Sequence, residues 1–356
     1  MNIQSSKLVR KLGPLAACLL IAFMFSGCIY LPLTGPPAFL SKVEIQSSKQ
    51  LFFPDEIMIV DCSGTLDSTD SGLFFKEPSA LERITDQLLL AERDPRVKAI
   101  ILRIDSPGGT VTASDMIYHQ IMELKKRRKA AGNPIAVTAA MMDVAASGGY
   151  YIAMAADKVY AHPTTITGSI GVIMIIPGVE GLSDKLGVDW RVFKSGKNKD
   201  IGSFFRSMPR EDRRILQSSI DVMYERFVDI VSANRTELSR EEIKTLADGR
   251  PYLATEALEH GLIDGVMHLD EMIAATEKLA GIEDARVVMR RYDHPVKGNL
   301  YARHSFPVSP RANLKGLNPG GANPYAAGAA NINLFNIDLG SLGLTTAPKL
   351  LYLYQR

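Results

Sequence analysis

Three short segments of this chain carry groups suited to attack on a carbonyl. In "DVAASGGYYIAMAADKV", Ser147 stands between Ala145-Ala146 and Gly148-Gly149. Residues with little or no side chain let a backbone turn sharply and admit a second chain close by. A serine on such a turn is a candidate nucleophile, and it is equally a candidate helix N-cap. In "IDSPGGTV", Gly108 and Gly109 make a turn before a helix expected to start near Thr112. Backbone N–H groups there, with the amide of Gly148, suit a developing oxyanion. In "KSGKNKDIGSFFR", Lys194, Lys197 and Lys199 follow an expected strand.

The base for such a serine has to be found by elimination. His119 lies in a helical stretch, His162 precedes Pro163, and His260 and His268 sit around a helix end, all read as surface or packing residues. There is no G-x-S-x-G elbow, and no H-E-x-x-H or Cys/His cluster that would hold a metal. No cofactor is expected. Lysine remains, with three candidates. A free lysine near pKa 10.4 is charged at neutral pH, and making it a base means disfavouring the ammonium by roughly 4 kcal/mol. Ile201, Phe204 and Phe205 offer an apolar setting for that.

The elements expected to position these groups alternate. "EIMIVDC", "VKAIILRID", "PIAVTAA" and "KVYAH" read as buried strands, and "DWRVFKSG" as one more. Between them, Ser79 to Glu92 and the stretch through Met116, Ile117, Ile121 and Leu124 have helical spacing. Continuous apolar strands separated by helices predict an α/β fold with a mainly parallel sheet covered on both faces. Helices then dominate: about Arg210 to Asn234, Glu241 to Ala247 behind a Ser239/Glu242 capping box, and Thr255 to His260. After about Gly281 the composition turns to Gly, Asn, Pro and Ala, which predicts an irregular tail over 282–356. The apolar end "APKLLYLYQR" is expected to dock on its own domain or on a neighbouring subunit. The run "KKRRK" at Lys125 to Lys129 reads as a solvated helix end.

The first residues carry an export signal: Lys7, Arg10 and Lys11, an apolar run from Leu15 to Phe25, then Ser26, Gly27 and Cys28. "FSGC" resembles a lipobox, which makes Cys28 the candidate lipidation site; an uncleaved signal anchor is the alternative. Either reading places the rest outside the cytoplasm, at a membrane, with 29–56 as linker and start of the mature chain. Cys18 and Cys62 leave no pair for a disulfide in the mature chain, and Cys62 is expected to be a small buried hydrophobe. The 356 residues are 46% hydrophobic, enough for a sizeable core. Their net charge of +2 gives no reason to expect a nucleic-acid partner.

Four segments taken together, "DSPGGTVTASDMIYHQI", "VAASGGYYIAMAADKVYAHPTTITGSIGVI", "FKSGKNKDIGSFFR" and "LADGRPYLATEALEHGLIDGV", resemble the signature segments of the SppA family. These are bacterial signal peptide peptidases with a Ser/Lys dyad; the resemblance is to the short form and covers roughly 57–281. It implies a fold related to ClpP and crotonase, with repeated ββα units, a helical C-terminal part and an irregular tail. It also implies that Ser147 is the nucleophile and Lys199, in "KDIGS", the general base. Ser169 of "TGSIGV" corresponds to the serine that orients the lysine amine. Gly148 and the Gly108/Gly109 turn correspond to the oxyanion hole, Gly109 above Gly108. Phe204 stands where many relatives carry proline, a departure that bears on loop shape.

The resemblance further implies an endopeptidase acting on apolar peptides such as remnant signal peptides. It implies a homo-oligomer in which the serine and lysine of one site come from adjacent subunits. Two rival readings are a non-catalytic membrane scaffold and a crotonase-like acyl-CoA enzyme. Retention of both Ser147 and Lys199 weighs against the first. The export signal weighs against the second, because CoA esters are cytoplasmic.

Overall fold

Parallel strands whose residues are apolar on both faces must be covered on both faces, and this chain meets that requirement with helices of two separate groups. The computed structural model describes residues 40–50, 53–69, 78–292 and 351–353, all within one compact unit. The signal and Cys28 lie outside them.

Strands β1 (Leu40–Gln46), β2 (Glu56–Ser63), β3 (Val97–Ser106) and β5 (Ala136–Ala146) belong to a nine-stranded sheet. So do β6 (Lys158–Ala161), β7 (Ile166–Gly168), β8 (Pro251–Leu253), β9 (Gly265–Val266) and β10 (Arg286–Tyr292). The main order is β1-β10-β2-β3-β5-β6-β9, parallel except for the outer β1. The sheet thus takes in strands on either side of 57–281. Alternate residues of each central strand face opposite layers. Met58, Val60, Ile100, Leu102 and Ile104 meet the larger core, while Ile57, Ile59, Ala99 and Ile101 meet the smaller.

The larger core is closed by α1 (Ala80–Arg93), α2 (Val111–Ala130), α3 (Gly148–Ala153) and α5 (Arg210–Asn234). The smaller is closed by α8 (Leu269–Ala280) through Leu269, Met272 and Ile273. Short helices α4 (Glu180–Leu186), α6 (Arg240–Leu246) and α7 (Ala254–Glu259) complete the set. Ser79 caps α1 through the Glu82 amide, and the expected Ser239/Glu242 capping box closes α6 in both directions.

Two expectations are corrected. "DWRVFKSG" is not a strand: Val188–Gly196 has no ladder partner, and Trp190 instead stacks on Phe205 with ring centroids 3.9 Å apart. An apolar segment with no sheet edge beside it satisfies no strand bonds, whatever its spacing. The "KKRRK" run is not simply solvated. Arg128 is buried and donates to the carbonyls of Ala91 (2.9 Å), Val97 (2.6 Å) and Asn133 (2.9 Å), tying the end of α2 to the end of α1 and to β3. Lys125 pairs with Asp157, and Arg127 with Glu92. Cys62 is fully buried as expected, and burial pushes its thiol far above the ordinary range.

Candidate active site

The site forms where β5 changes neighbours. Residues Thr138–Met141 pair with β6, and Val144–Ala146 pair with β7. That splay opens the sheet at the strand end, where ligand crevices of parallel sheets arise. Ser147 follows directly. Its amide donates to Gly168 O at 2.7 Å, and Thr167 Oγ1 donates to Ala145 O at 2.7 Å, so β7 holds the strand end from one side. On the other side Ala145 pairs with Ser106 at the end of β3.

Ser147 has φ 52° and ψ −113°, a backbone conformation that a residue with a Cβ adopts at a cost of order 1–3 kcal/mol. It precedes α3, yet its hydroxyl makes no capping bond. Thr110 and Ser79, in the same position before α2 and α1, do cap their helices. The choice between cap and free hydroxyl is therefore decided: Ser147 Oγ is buried and has no hydrogen-bond partner. Buried polar atoms are normally paired, and the exceptions concentrate at functional sites.

Gly148 and Gly109 adjoin this hydroxyl's backbone. An ideal Cβ on Gly148 would lie 3.1 Å from Gly108 Cα and 3.2 Å from Gly109 N, and only 2.5 Å from Ser114 Oγ. Both positions need glycine for close approach: a Cβ on Gly109 would lie 1.9 Å from the carbonyl oxygen of Leu66. Gly108–Thr110 form a short strand, β4, bridged to Leu66 by Leu66 N to Gly108 O and Thr110 N to Leu66 O, both 2.8 Å. Successive amides along a strand point to opposite edges, so the Gly109 amide faces away from Leu66. The Gly148 amide, at the first position of α3, has no intrahelical acceptor. Two donors thus converge beside one serine, the arrangement that stabilises an oxyanion.

Residues that sequence reasoning did not single out hold these parts still. Ser106 Oγ accepts from Gly108 N at 3.1 Å and fixes the turn. Tyr150 OH donates to Leu262 O at 2.7 Å. Tyr151 OH donates to Asp115 at 2.6 Å, and its ring packs against Phe227. Short α3 is thereby anchored from three directions. The signal was present in "IDSPGG" and "GGYY", but a serine before proline and a pair of tyrosines have no fixed meaning without the fold.

Ser169 lies at φ 48°, nearly buried, with its amide donating to Arg250 O. It lines a cavity of about 360 Å³ whose apolar wall includes Ile170, Val172, Ile173 and Ile220. Lys199 is brought to none of these groups within one chain. It sits exposed on a turn, and among the described residues its amine has no hydrogen-bond or ion-pair partner. Of the other two lysines, Lys194 is committed to Asp200 at 2.8 Å. Arg206 first, then Lys194, hold the Asp200 carboxyl far below the usual carboxylate range, and Arg206 also binds Asp212. This network braces the turn that carries Lys199.

Comparison with known proteins agrees with that geometry. Peptidase family S49 matches residues 127–283, and the Clp protease family matches residues 76–173. A putative protease of Synechocystis is 40% identical over 202 residues, which cover 57% of this chain and 70% of that protein. The chain belongs to peptidase family S49. As an S49 protein with a Clp protease-like, mostly parallel α/β domain, it bears out the resemblance read from the four sequence segments.

A putative signal peptide peptidase SppA of Enterococcus faecium is 34% identical over 227 residues, 64% of each chain. Protease 4 of Haemophilus influenzae is 34% identical over 226 residues, of which this chain spans about a third of the length, 35%. Within the S49 match lie Ser147, Gly148, Ser169 and Lys199; the Clp protease match includes Gly108 and Gly109.

Proposed function

We propose that this S49 protein is a membrane-associated serine endopeptidase that cleaves apolar peptides such as remnant signal peptides. Ser147 is the nucleophile, and Lys199 of a neighbouring copy is the general base. The observation that carries this reading is the Ser147 hydroxyl: buried, capping nothing, on a strained turn beside the amides of Gly148 and Gly109.

The reaction runs in two halves. Ser147 Oγ attacks the scissile carbonyl as its proton passes to a neutral Lys199 amine, and the carbonyl oxygen becomes an anion held by the two glycine amides. Collapse expels the leaving amine, which takes the proton from Lys199 Nζ and leaves an acyl group on Ser147. Water, deprotonated by the same amine, then releases the acid and restores the serine. Ser169 orients the amine. No cofactor enters.

The shared site is supported by what one chain leaves incomplete. Ser147 Oγ has no partner and Lys199 stands in solvent. The segment leading to Lys199 displays Leu186, Trp190, Val192 and Phe193, the last 95% exposed. A contiguous apolar surface of this kind marks an interaction site. Seated against a second copy, it would desolvate the lysine and favour the neutral amine. The apolar cavity beside Ser169 supports apolar substrates. An anchor through Cys28 or the signal segment would keep the site at the outer face of a membrane; among the described residues no helix is long and apolar enough to cross one.

The test is hydrolysis of a quenched apolar signal-peptide substrate by the full chain in detergent, beside Ser147→Ala and Lys199→Ala. Cleavage by the parent and by neither variant is expected. Equal cleavage by all three removes the assignment.

A further inference from the structure

Between Tyr292 and Leu351 no residue is described, yet Leu351–Leu353 form a strand, β11, and it lies at the candidate active site. β11 pairs antiparallel with β4: Leu351 opposite Thr110, Tyr352 opposite Gly109, Leu353 opposite Gly108. It also lies against α2 and against α3, the helix that begins immediately after Ser147.

The edge it occupies is the functional one. Leu66 takes the Gly108 carbonyl and the Thr110 amide, so the amide and carbonyl of Gly109 face the β11 side. An extended peptide added to that edge lies beside the Gly109 amide and Ser147, with main-chain bonds supplying affinity as in other strand-addition complexes. Direction matters too. β11 runs from Thr110 toward Gly108, so its C-terminal end advances on the oxyanion turn. The acyl half of a peptide substrate has this polarity, because its carbonyl must arrive at the nucleophile last.

We propose that Leu351–Leu353 is a tethered ligand of the β4 edge, bound as the acyl half of a substrate and competing with other peptides for Ser147. This deepens the peptidase reading and rests on it for the meaning of the edge. It specifies the class of peptide the edge takes: an extended strand with the apolar sequence character of Leu-Tyr-Leu, entering at Thr110. A flexible tether supplies an effective concentration on the order of 1 mM. Against a peptide that binds near ~0.1 mM, the tether weakens apparent binding about tenfold and leaves kcat unchanged.

The experiment reads binding apart from catalysis. A fluorescein-labelled peptide of residues 349–356 is titrated by anisotropy into three detergent-solubilised proteins: Ser147→Ala, Ser147→Ala lacking residues 349–356, and Ser147→Ala with Tyr352→Pro. Proline at 352 removes the amide that pairs with Gly109 while keeping the tail's length. About tenfold tighter binding to the second and third proteins is expected. Equal affinity in all three, or no binding to any, overturns the proposal. In proteins with Ser147 intact, tail removal should lower KM about tenfold at constant kcat. The tenfold binding difference without cleavage of any peptide would sink the peptidase reading and leave the tethered strand standing.

Discussion

Substituting Gly109 by alanine tests the site's construction more sharply than removing the serine, because its cost is set by backbone that cannot rotate away. The new Cβ would fall 1.9 Å from Leu66 O, 2.5 Å from Leu66 C and 2.6 Å from Leu66 N. Relief requires β4 and Leu66 to part by roughly 1 Å, which breaks both 2.8 Å bonds of the bridge. Two backbone hydrogen bonds at about 1 kcal/mol each, with about 1–3 kcal/mol of overpacking, give a loss of roughly 3–5 kcal/mol. For a domain of this size that lowers Tm by about 10 °C.

The same shift carries the Gly109 amide off its line to the scissile carbonyl. Loss of one oxyanion donor costs on the order of 10²–10³ in kcat, and a misplacement of about 1 Å has a similar cost. The assay is paired: thermal unfolding, and kcat for the quenched signal-peptide substrate well below the variant's Tm. Gly181→Ala in α4 is the control, with open space around its Cβ position; it should leave kcat alone and stabilise by up to about 1 kcal/mol. A Gly109→Ala protein that melts with the parent and cleaves at the parental rate would refute the close approach of β4 to Leu66 and the role of its amide together.

Three further outcomes follow from the same structure. Mixing inactive Ser147→Ala and Lys199→Ala proteins under exchange should restore about a quarter of parental activity, the share of sites that pair an intact serine with an intact lysine when adjacent copies combine at random; no recovery would place both residues of a site in one chain. Arg103 and Asp61 form a buried ion pair at 2.7 Å across β3 and β2, so Arg103→Ala should cost about 3–5 kcal/mol in urea unfolding. Lys126→Ala, on an exposed side chain, should stay within about 0.5 kcal/mol. Asp94, bonded by Arg96, has its carboxyl lowered from 3.8 to about 2. Its contribution is present above about pH 4 and is lost as pH falls toward 2. With Arg96 half-exposed the pair is worth about 1 kcal/mol, so Asp94→Asn should be less stable than the parent at pH 7 and converge with it by pH 2.

How much was legible in the sequence differs by element, for physical reasons. The central strands and the helices between them announce themselves because a parallel strand buried on both faces is apolar throughout: "EIMIVDC" and "VKAIILRID" have few alternatives. Edge elements carry weaker patterns. β1 reads "LSKVEIQ" and β10 "RVVMRRY", polar enough to pass for linker and tail, and only their pairing with each other and with β2 gives them identity. β4 is three residues long and two are glycine, so a turn is the natural reading until Leu66 is seen beside it. "DWRVFKSG" misled in the opposite sense. Its apolar residues satisfy the pattern of a strand, but burial demands only a surface to press against, and within one chain that surface is absent.

The last case connects the fold to the chemistry. A lysine must lose its proton before it can act as a base, and it does so only where water is excluded. Within one chain Lys199 is in water, while Ser147 lies in a finished pocket with a strained backbone, two converging amides and an anchored helix behind it. The apolar side chains exposed at 186–193 lead directly to that lysine. If they meet a second copy, assembly and lysine neutralisation become one event, and an isolated chain carries a serine with no base. Activity should then rise with protein concentration more steeply than linearly through the range where copies associate, and become linear once association is complete. A specific activity that stays constant on dilution to monomers would break that link, because it would require Lys199 to reach Ser147 across its own chain.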